Sequence, residues 1–217
     1  MPGQTGSGTQ EGEMASRPKR GSERPRRSPT ELQVAAHHVT YEIGMLFFSA
    51  EDLGGWHASP LAPPEDMAKN MALECFLLHF RNLRAFLCPS IQASSVDDII
   101  AGDFLNELEA RDIGEAEVLS NDKKRLDRML AHLSYSRKEY IEAKSYGWLT
   151  AEMELALLDQ LEVFFGRLSP ERREWFPPAD QLSQERRRAE DDKAAVRRYQ
   201  TTTSVVSIGG STPPHKT

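Results

Sequence analysis

Two arginines and a histidine lie close together in the stretch SNDKKRLDRMLAHLSYSR, residues 120–137. At about 100° of rotation per residue, Arg125, Arg128 and His132 fall within an arc of about 60° on one flank of a helix. Arginine forks bind and neutralise phosphate oxygens, and an imidazole transfers protons near neutral pH. The three side chains therefore predict phosphodiester cleavage without a metal ion, with an RNA 2′-hydroxyl as the internal nucleophile.

The roles within this hypothetical site follow from the chemistry of each side chain. Arg125 would hold the scissile phosphate, Arg128 would support it, and His132 would be the general acid or base. Lys124 is a further candidate for substrate binding or support. The same spacing also fits a solvated flank whose cations pair with Asp122 and with carboxylates of a neighbouring helix. The sequence leaves both interpretations open.

The opposite face of this stretch is apolar, which predicts an amphipathic helix packed on a core. Helical periodicity recurs along the chain, and strand-like alternation is absent. Helices are predicted over residues 30–50, 64–87, 97–109 and 178–199. A fourth helix in chain order is predicted to begin at residue 120, and a fifth to begin at an N-cap at Thr150 and to end at Pro170. Antiparallel packing of four or five such helices predicts an all-α bundle. Its predicted core residues are Leu32, Ala35, Ala36, Val39, Ile43, Leu46, Phe47, Leu73, Phe76, Leu77, Phe80, Leu83, Leu87, Leu126, Met129, Leu130, Leu133, Met153, Leu157, Leu161, Phe164, Phe165 and Leu168.

Composition divides the chain of 217 residues into four parts. A basic N-terminal arm over residues 1–29 and a tail over 201–217 are predicted to be disordered, because Pro, Gly, Ser and Arg without apolar periodicity cannot bury enough surface to fold. The bundle is predicted over 30–170. A polar helical extension over 171–200 is predicted to bind a protein partner through 178–200.

Charge is distributed unevenly among these parts. Residues 1–30 carry six Lys/Arg and three Asp/Glu, residues 181–217 carry seven and four, and the middle therefore carries 14 and 26. A centre with a net charge of −12 is a poor general surface for nucleic acid, so an RNA contact would need a local basic cluster or the arms.

The second predicted helix carries two further candidates for the site. His79 and Asn82 lie three residues apart at the edge of its apolar stripe, so both could hydrogen-bond across to the fourth helix. A histidine at such a boundary is also compatible with a purely structural hydrogen bond. Either role requires that the second helix packs beside residues 120–137.

Metal and cofactor sites are not predicted. His37 and His38 point about 100° apart on a helix and cannot share one ion. Asp97, Asp98 and Asp103 fit either a divalent cation or a helix start, and the first two favour the helix start. The sequence has no glycine-rich phosphate loop, serine-nucleophile elbow or Cys-x2-Cys pair.

The cysteines and the hydropathy pattern indicate the cellular compartment in which the protein resides. Cys75 and Cys88, thirteen residues apart on one predicted helix, are separated by roughly 20 Å and cannot form a disulfide. No run of about 18 apolar residues occurs, so no membrane span is predicted. Together these features predict a soluble cytoplasmic protein.

Three segments carry a family resemblance. ALECFLLHFRNLRAFL (72–87), DDIIAGDFL (97–105) and RLDRMLAHLSYSR (125–137) resemble segments of uncharacterised bacterial helical proteins that look related to the HEPN superfamily. The resemblance covers residues 30–170. It implies a helical bundle that is often a homodimer and in many members a metal-independent RNase of defence, toxin or RNA-processing systems.

The resemblance also implies an active helix with an Arg and a His separated by four to six residues. Arg125 and His132 have six residues between them and fit this spacing, whereas Leu126 stands where the family usually has a polar residue. The leading expectation is RNA binding or cleavage, with the site completed across a two-fold interface. The alternative is a non-catalytic helical interaction module, which the acidic centre favours.

Overall fold

The computed structural model describes residues 25–54, 67–88, 95–105, 126 and 148–208, with side chains described as far as residue 198. Of the described part, 81% is helical and no strand occurs in it, which confirms the predicted all-α class. The helices form an antiparallel bundle. No helix within these ranges is long and apolar enough to cross a bilayer.

The first two helices form the wall that carries the candidate site. Helix α1 spans Pro29–Gly54 and helix α2 spans Met67–Leu87. A capping box opens α1: Ser28 Oγ accepts from the Glu31 amide at 3.3 Å, and a Glu31 carboxylate oxygen accepts from the Ser28 amide at 2.8 Å. Pro29 at the first helical position lacks an amide hydrogen that would need a partner there. These local signals place the start of α1 as the sequence predicted.

The segment after α2 differs from the prediction of a helix over residues 97–109. Its described part is a turn followed by a short 3₁₀ helix, Ala101–Phe104. The Asp98 carboxylate accepts from the Ser95 amide at 2.9 Å, and Ser95 Oγ accepts from the Asp97 amide at 3.2 Å. These two hydrogen bonds stabilise a turn at residues 95–98. The described residues 97–105 thus differ from the helix that the periodicity predicted.

Three more helices lie within the described residues 148–208. Helix α3 spans Thr150–Gly166, α4 spans Pro170–Arg173 and α5 spans Ala179–Ile208. Thr150 was predicted as an N-cap, but it is the first helical residue, and Leu149 precedes it without a side-chain cap. Pro170 does not end α3. It begins α4, where Ser169 Oγ accepts from the Arg172 amide at 3.4 Å, because proline is suited to the first turn of a helix.

Helix α5 extends the polar segment beyond its predicted bounds. It ends at Ile208, eight residues past the predicted boundary at residue 200. Instead of standing apart from the bundle, it packs along α3, with Leu182 and Ala189 buried.

The core follows the predicted stripes closely. All of the predicted core residues in the described ranges are buried except Ala35 and Leu73, which are half-buried against the core. Leu126, the described residue of the fourth predicted helix, is helical and fully buried in this core. Cys75 and Cys88 are not joined by a disulfide, and Cys88 is buried. The apolar periodicity was therefore a reliable guide to the packing surfaces.

An aromatic cluster joins the separate segments. The ring of Phe164 on α3 lies 5.2 Å from that of Phe86 on α2, 6.1 Å from Phe104 on the 3₁₀ helix and 5.4 Å from Phe176 after α4. All three contacts are edge-to-face, the geometry that the ring quadrupole favours. Phe164 is fully buried, and its ring contacts link α2, the 3₁₀ helix and the turn after α4 to α3.

We predict that Phe164→Ala lowers the free energy of unfolding by about 3–5 kcal/mol, because it removes a buried ring and leaves a cavity. Urea denaturation followed by circular dichroism measures this change. Val163→Ala is the matched control, since Val163 is the neighbouring residue on α3 and is 39% exposed. An equal loss in both variants would contradict a central role for the cluster.

Candidate functional site

Two residues predicted for the site, His79 and Asn82, meet on a single carboxylate of α1. His79 Nδ1 lies 2.7 Å from Glu42 Oε2, and Asn82 Nδ2 donates to the same oxygen at 3.0 Å. These two contacts join α2 to the carboxylate of Glu42 and fix the orientation of the His79 ring.

The surroundings of His79 limit what its ring can do. The residue is 6% exposed, and the edge of the Tyr41 ring packs against it with 5.9 Å between the ring centroids. An imidazole that is buried, bonded to a carboxylate and covered by an aromatic ring has little access to a substrate. The contacts of His79 are those of a residue that ties α2 to α1.

The remaining predicted site residues lie outside the described residues. Arg125, Arg128, His132 and Lys124 belong to this group, so the proposed convergence of two guanidinium groups and an imidazole stays a prediction. Leu126 was assigned to the apolar face of the same predicted helix, and it is fully buried.

Sequence reasoning did not identify Glu42. It lies next to Ile43 in a run dominated by the core stripe of α1, and no motif marks it. One signal was available: Glu42 is a charged residue at the edge of an apolar stripe, where an acid needs a partner when the neighbouring helix packs closely. His79 and Asn82 supply it.

A second feature of the α1–α2 wall is its outward surface. Six large apolar side chains on these helices are between 44% and 75% exposed. They form two rows, Val34, Tyr41 and Phe48 on α1, and Met67, Met71 and Leu78 on α2. The α1 row has seven-residue spacing, which keeps its members on one helix face, about 160° around the helix from the buried stripe. We call these six residues the outer apolar face.

A groove of about 380 Å³ lies between the start of α1 and residues 97–103. Its polar side chains serve the backbone around it: Asp103 accepts from the Ile100 amide at 3.2 Å, and Arg27 Nη2 donates to the Val96 carbonyl at 2.6 Å. Within the described ranges, no group of three or more His, Cys, Asp or Glu side chains is placed to hold a metal ion. The hydrogen bonds of the groove attach residues 95–105 to the start of α1.

Comparison with protein-family models, with curated proteins and with solved structures finds no match. The resemblance to HEPN proteins is therefore an expectation from the quoted segments alone.

We predict that Glu42→Ala destabilises the fold by about 1–3 kcal/mol, because it leaves the buried His79 and the Asn82 amide without their acceptor. Glu42→Gln should cost less, since its amide oxygen still accepts. Urea denaturation compares both variants with Glu51→Ala, which changes an exposed glutamate on the same helix. Equal stability of all three variants would show that the Glu42 contacts contribute nothing.

Proposed function

We propose that this chain is a helical protein-interaction module that pairs with a second copy of itself through the outer apolar face. The observation that supports this proposal is the exposure of six large apolar side chains on α1 and α2. Apolar patches of this kind on a folded surface mark interaction sites, because exposing them to water is unfavourable.

The size of the face fits a specific interface. From their exposed fractions, the six side chains offer on the order of 700 Å², against about 800 Å² per partner in an interface of standard size. Tyrosine, phenylalanine and methionine, the residue types that are enriched in interface centres, supply four of the six.

The α1 row favours a second copy as the partner, because its spacing is self-complementary. Val34 precedes Tyr41 by seven residues and Phe48 follows it by seven. In an antiparallel pair of α1 helices centred on Tyr41, each Val34 would therefore meet the partner's Phe48. His38 would lie opposite Gly44 of the second copy, where an added Cβ atom has no neighbour within 4 Å. This open space allows the two helices to approach closely.

We also propose a second function, metal-independent RNA cleavage at Arg125, Arg128 and His132, in a defence, toxin or RNA-processing setting. Its support is the burial of Leu126. If residues 120–137 form the predicted helix with Leu126 facing the core, the cations and the imidazole share a flank at the core boundary. A two-fold pair would bring two such flanks to one RNA, which offsets the acidic centre of a single chain.

We predict that Tyr41→Glu raises the dissociation constant of the pair by at least about 100-fold, because it places two carboxylates at the two-fold axis and removes two aromatic anchors. Sedimentation equilibrium over a range of protein concentrations measures the change. Gln33→Glu adds the same charge at another exposed position of α1 and should leave association unchanged.

A monomeric wild-type chain at all concentrations would overturn self-association. Persistence of the dimer in the Tyr41→Glu variant would instead place the interface on another surface.

We predict that His132→Ala reduces metal-independent cleavage of RNA by about 100-fold to 10,000-fold, the usual contribution of a general acid or base. The measurement is cleavage of single-stranded RNA in the presence of EDTA. His37→Ala, which changes an exposed histidine on α1, is the control. Absence of cleavage by the wild-type chain would exclude the second function and leave the interaction module untouched.

A further inference from the structure

Helix α5 is attached to the bundle mainly by charge. Its sequence is strongly polar, and Leu182 and Ala189 are its buried apolar residues as far as residue 198. Burying one leucine contributes about 1.5–3 kcal/mol, and an alanine much less. This is little for a helix of 30 residues, so polar contacts must decide whether it docks.

The basic residues of α5 meet the acidic residues of α3 in order along the two helices. Arg186 contacts Asp159 at 2.7 Å and Glu162 at 3.0 Å, and Lys193 contacts Glu152 at 3.5 Å. The order is antiparallel. All of these pairs are partly open to water, where an ion pair contributes about 0–1 kcal/mol and is screened by salt.

One ion pair in this series is buried. The Glu154 side chain on α3 is 1% exposed, and Arg188 Nη2 donates to its Oε1. The same guanidinium donates through Nε to Glu185 at 2.9 Å and through Nη1 to Asp192 at 3.2 Å. A single arginine thus donates hydrogen bonds to three carboxylates. Glu154 lies on α3, and Glu185 and Asp192 lie on α5.

The cluster also reaches the end of α1. A Cβ atom added to Gly54 would lie 2.9 Å from Asp192 Oδ2, so the absence of a side chain at Gly54 is what lets this carboxylate approach. Glu154, Arg188 and Asp192 therefore fasten α5 to two other helices at one place.

We propose that α5 is a latch fastened at Arg188, which opens when salt screens its ion pairs or when rising pH ionises the buried Glu154, while α1, α2 and α3 stay folded. The aromatic cluster supports this separation, because its rings come from α2, the 3₁₀ helix, α3 and the turn after α4. Opening uncovers the acidic residues of α3, namely Glu152, Glu154, Asp159 and Glu162. The inference is independent of self-association and of RNA cleavage.

The direction in which pH changes the docking of α5 follows from the pKa of the Glu154 carboxyl. Burial raises the pKa of Glu154 to about 8, although the positive charge of Arg188 opposes the rise. Burial also raises the pKa of Asp192 above its ordinary value. The groups that face Glu154 from α5 are Arg188, Glu185 and Asp192.

Because the docked state holds the Glu154 proton more tightly than the released state, the contribution of Glu154 to docking is fully present below pH 4.5. This contribution is lost progressively as the pH rises from there to about 8.

The test is hydrogen–deuterium exchange of the full chain, with rates corrected for the intrinsic effect of pH. Between pH 6 and 8.5, and between 0.05 and 1 M NaCl, we expect the protection of amides over residues 179–198 to fall at least about tenfold. Amides of α1, α2 and α3 should keep their protection. Equal loss of protection in all four helices, or no loss in α5, would overturn the latch.

Two variants separate the salt and pH contributions. Arg188→Met should release α5 in every buffer, whereas Arg187→Met, at the exposed neighbouring position, should match the wild-type chain. Glu154→Gln still accepts from Arg188 but has no proton to lose, so it should flatten the pH response and keep the salt response. An unchanged pH response in Glu154→Gln, or equal release by the two arginine variants, would refute the assigned fastening.

Discussion

The packing of Phe164 against rings from α2, the 3₁₀ helix and the turn after α4 is the contact on which the described fold depends. These elements are distant in the sequence, and edge-to-face rings fix both their distance and their orientation. Helix α2 also faces α1, and His79 and Asn82 lie within reach of Glu42. Because Phe86 follows His79 by seven residues, the aromatic cluster and the buried imidazole lie on the same side of α2.

Periodicity predicted most of the fold because burial of apolar surface is the largest favourable term in folding, and it leaves a regular pattern in a helix. The predicted stripes of α1, α2 and α3 are the observed core. The errors occurred where local hydrogen bonds decide the structure. The side chains of Asp98 and Ser95 bind amides of a turn where the periodicity predicted a helix, and Pro170 begins a helix rather than ending one. The docking of α5 was also missed, since the sequence does not show which carboxylate of α3 each basic residue of α5 contacts.

The candidate site was likewise predicted in part: the sequence pattern identified the hydrogen-bond donors, but not their acceptor. His79 and Asn82 could be selected from the sequence because they lie three residues apart at the edge of a stripe, but their acceptor, Glu42, lies 37 residues before His79. Only the packing of α1 on α2 identifies it. The outer apolar face, by contrast, was visible in the sequence as the seven-residue spacing of Val34, Tyr41 and Phe48, and its meaning became clear once their exposure was known.

The outer apolar face consists of apolar side chains, whereas the Arg188 cluster is held by ion pairs. Contacts through these two surfaces therefore depend differently on salt. Screening by salt weakens the contacts between α5 and α3, whereas association through apolar side chains is not weakened by screening and is strengthened by excluded salts such as sulfate. The two proposed processes also involve different surfaces, because Tyr41 is exposed on α1, and the Arg188 cluster closes on the end of α1 at Gly54. On these proposals, one chain would hold its partner while it releases α5.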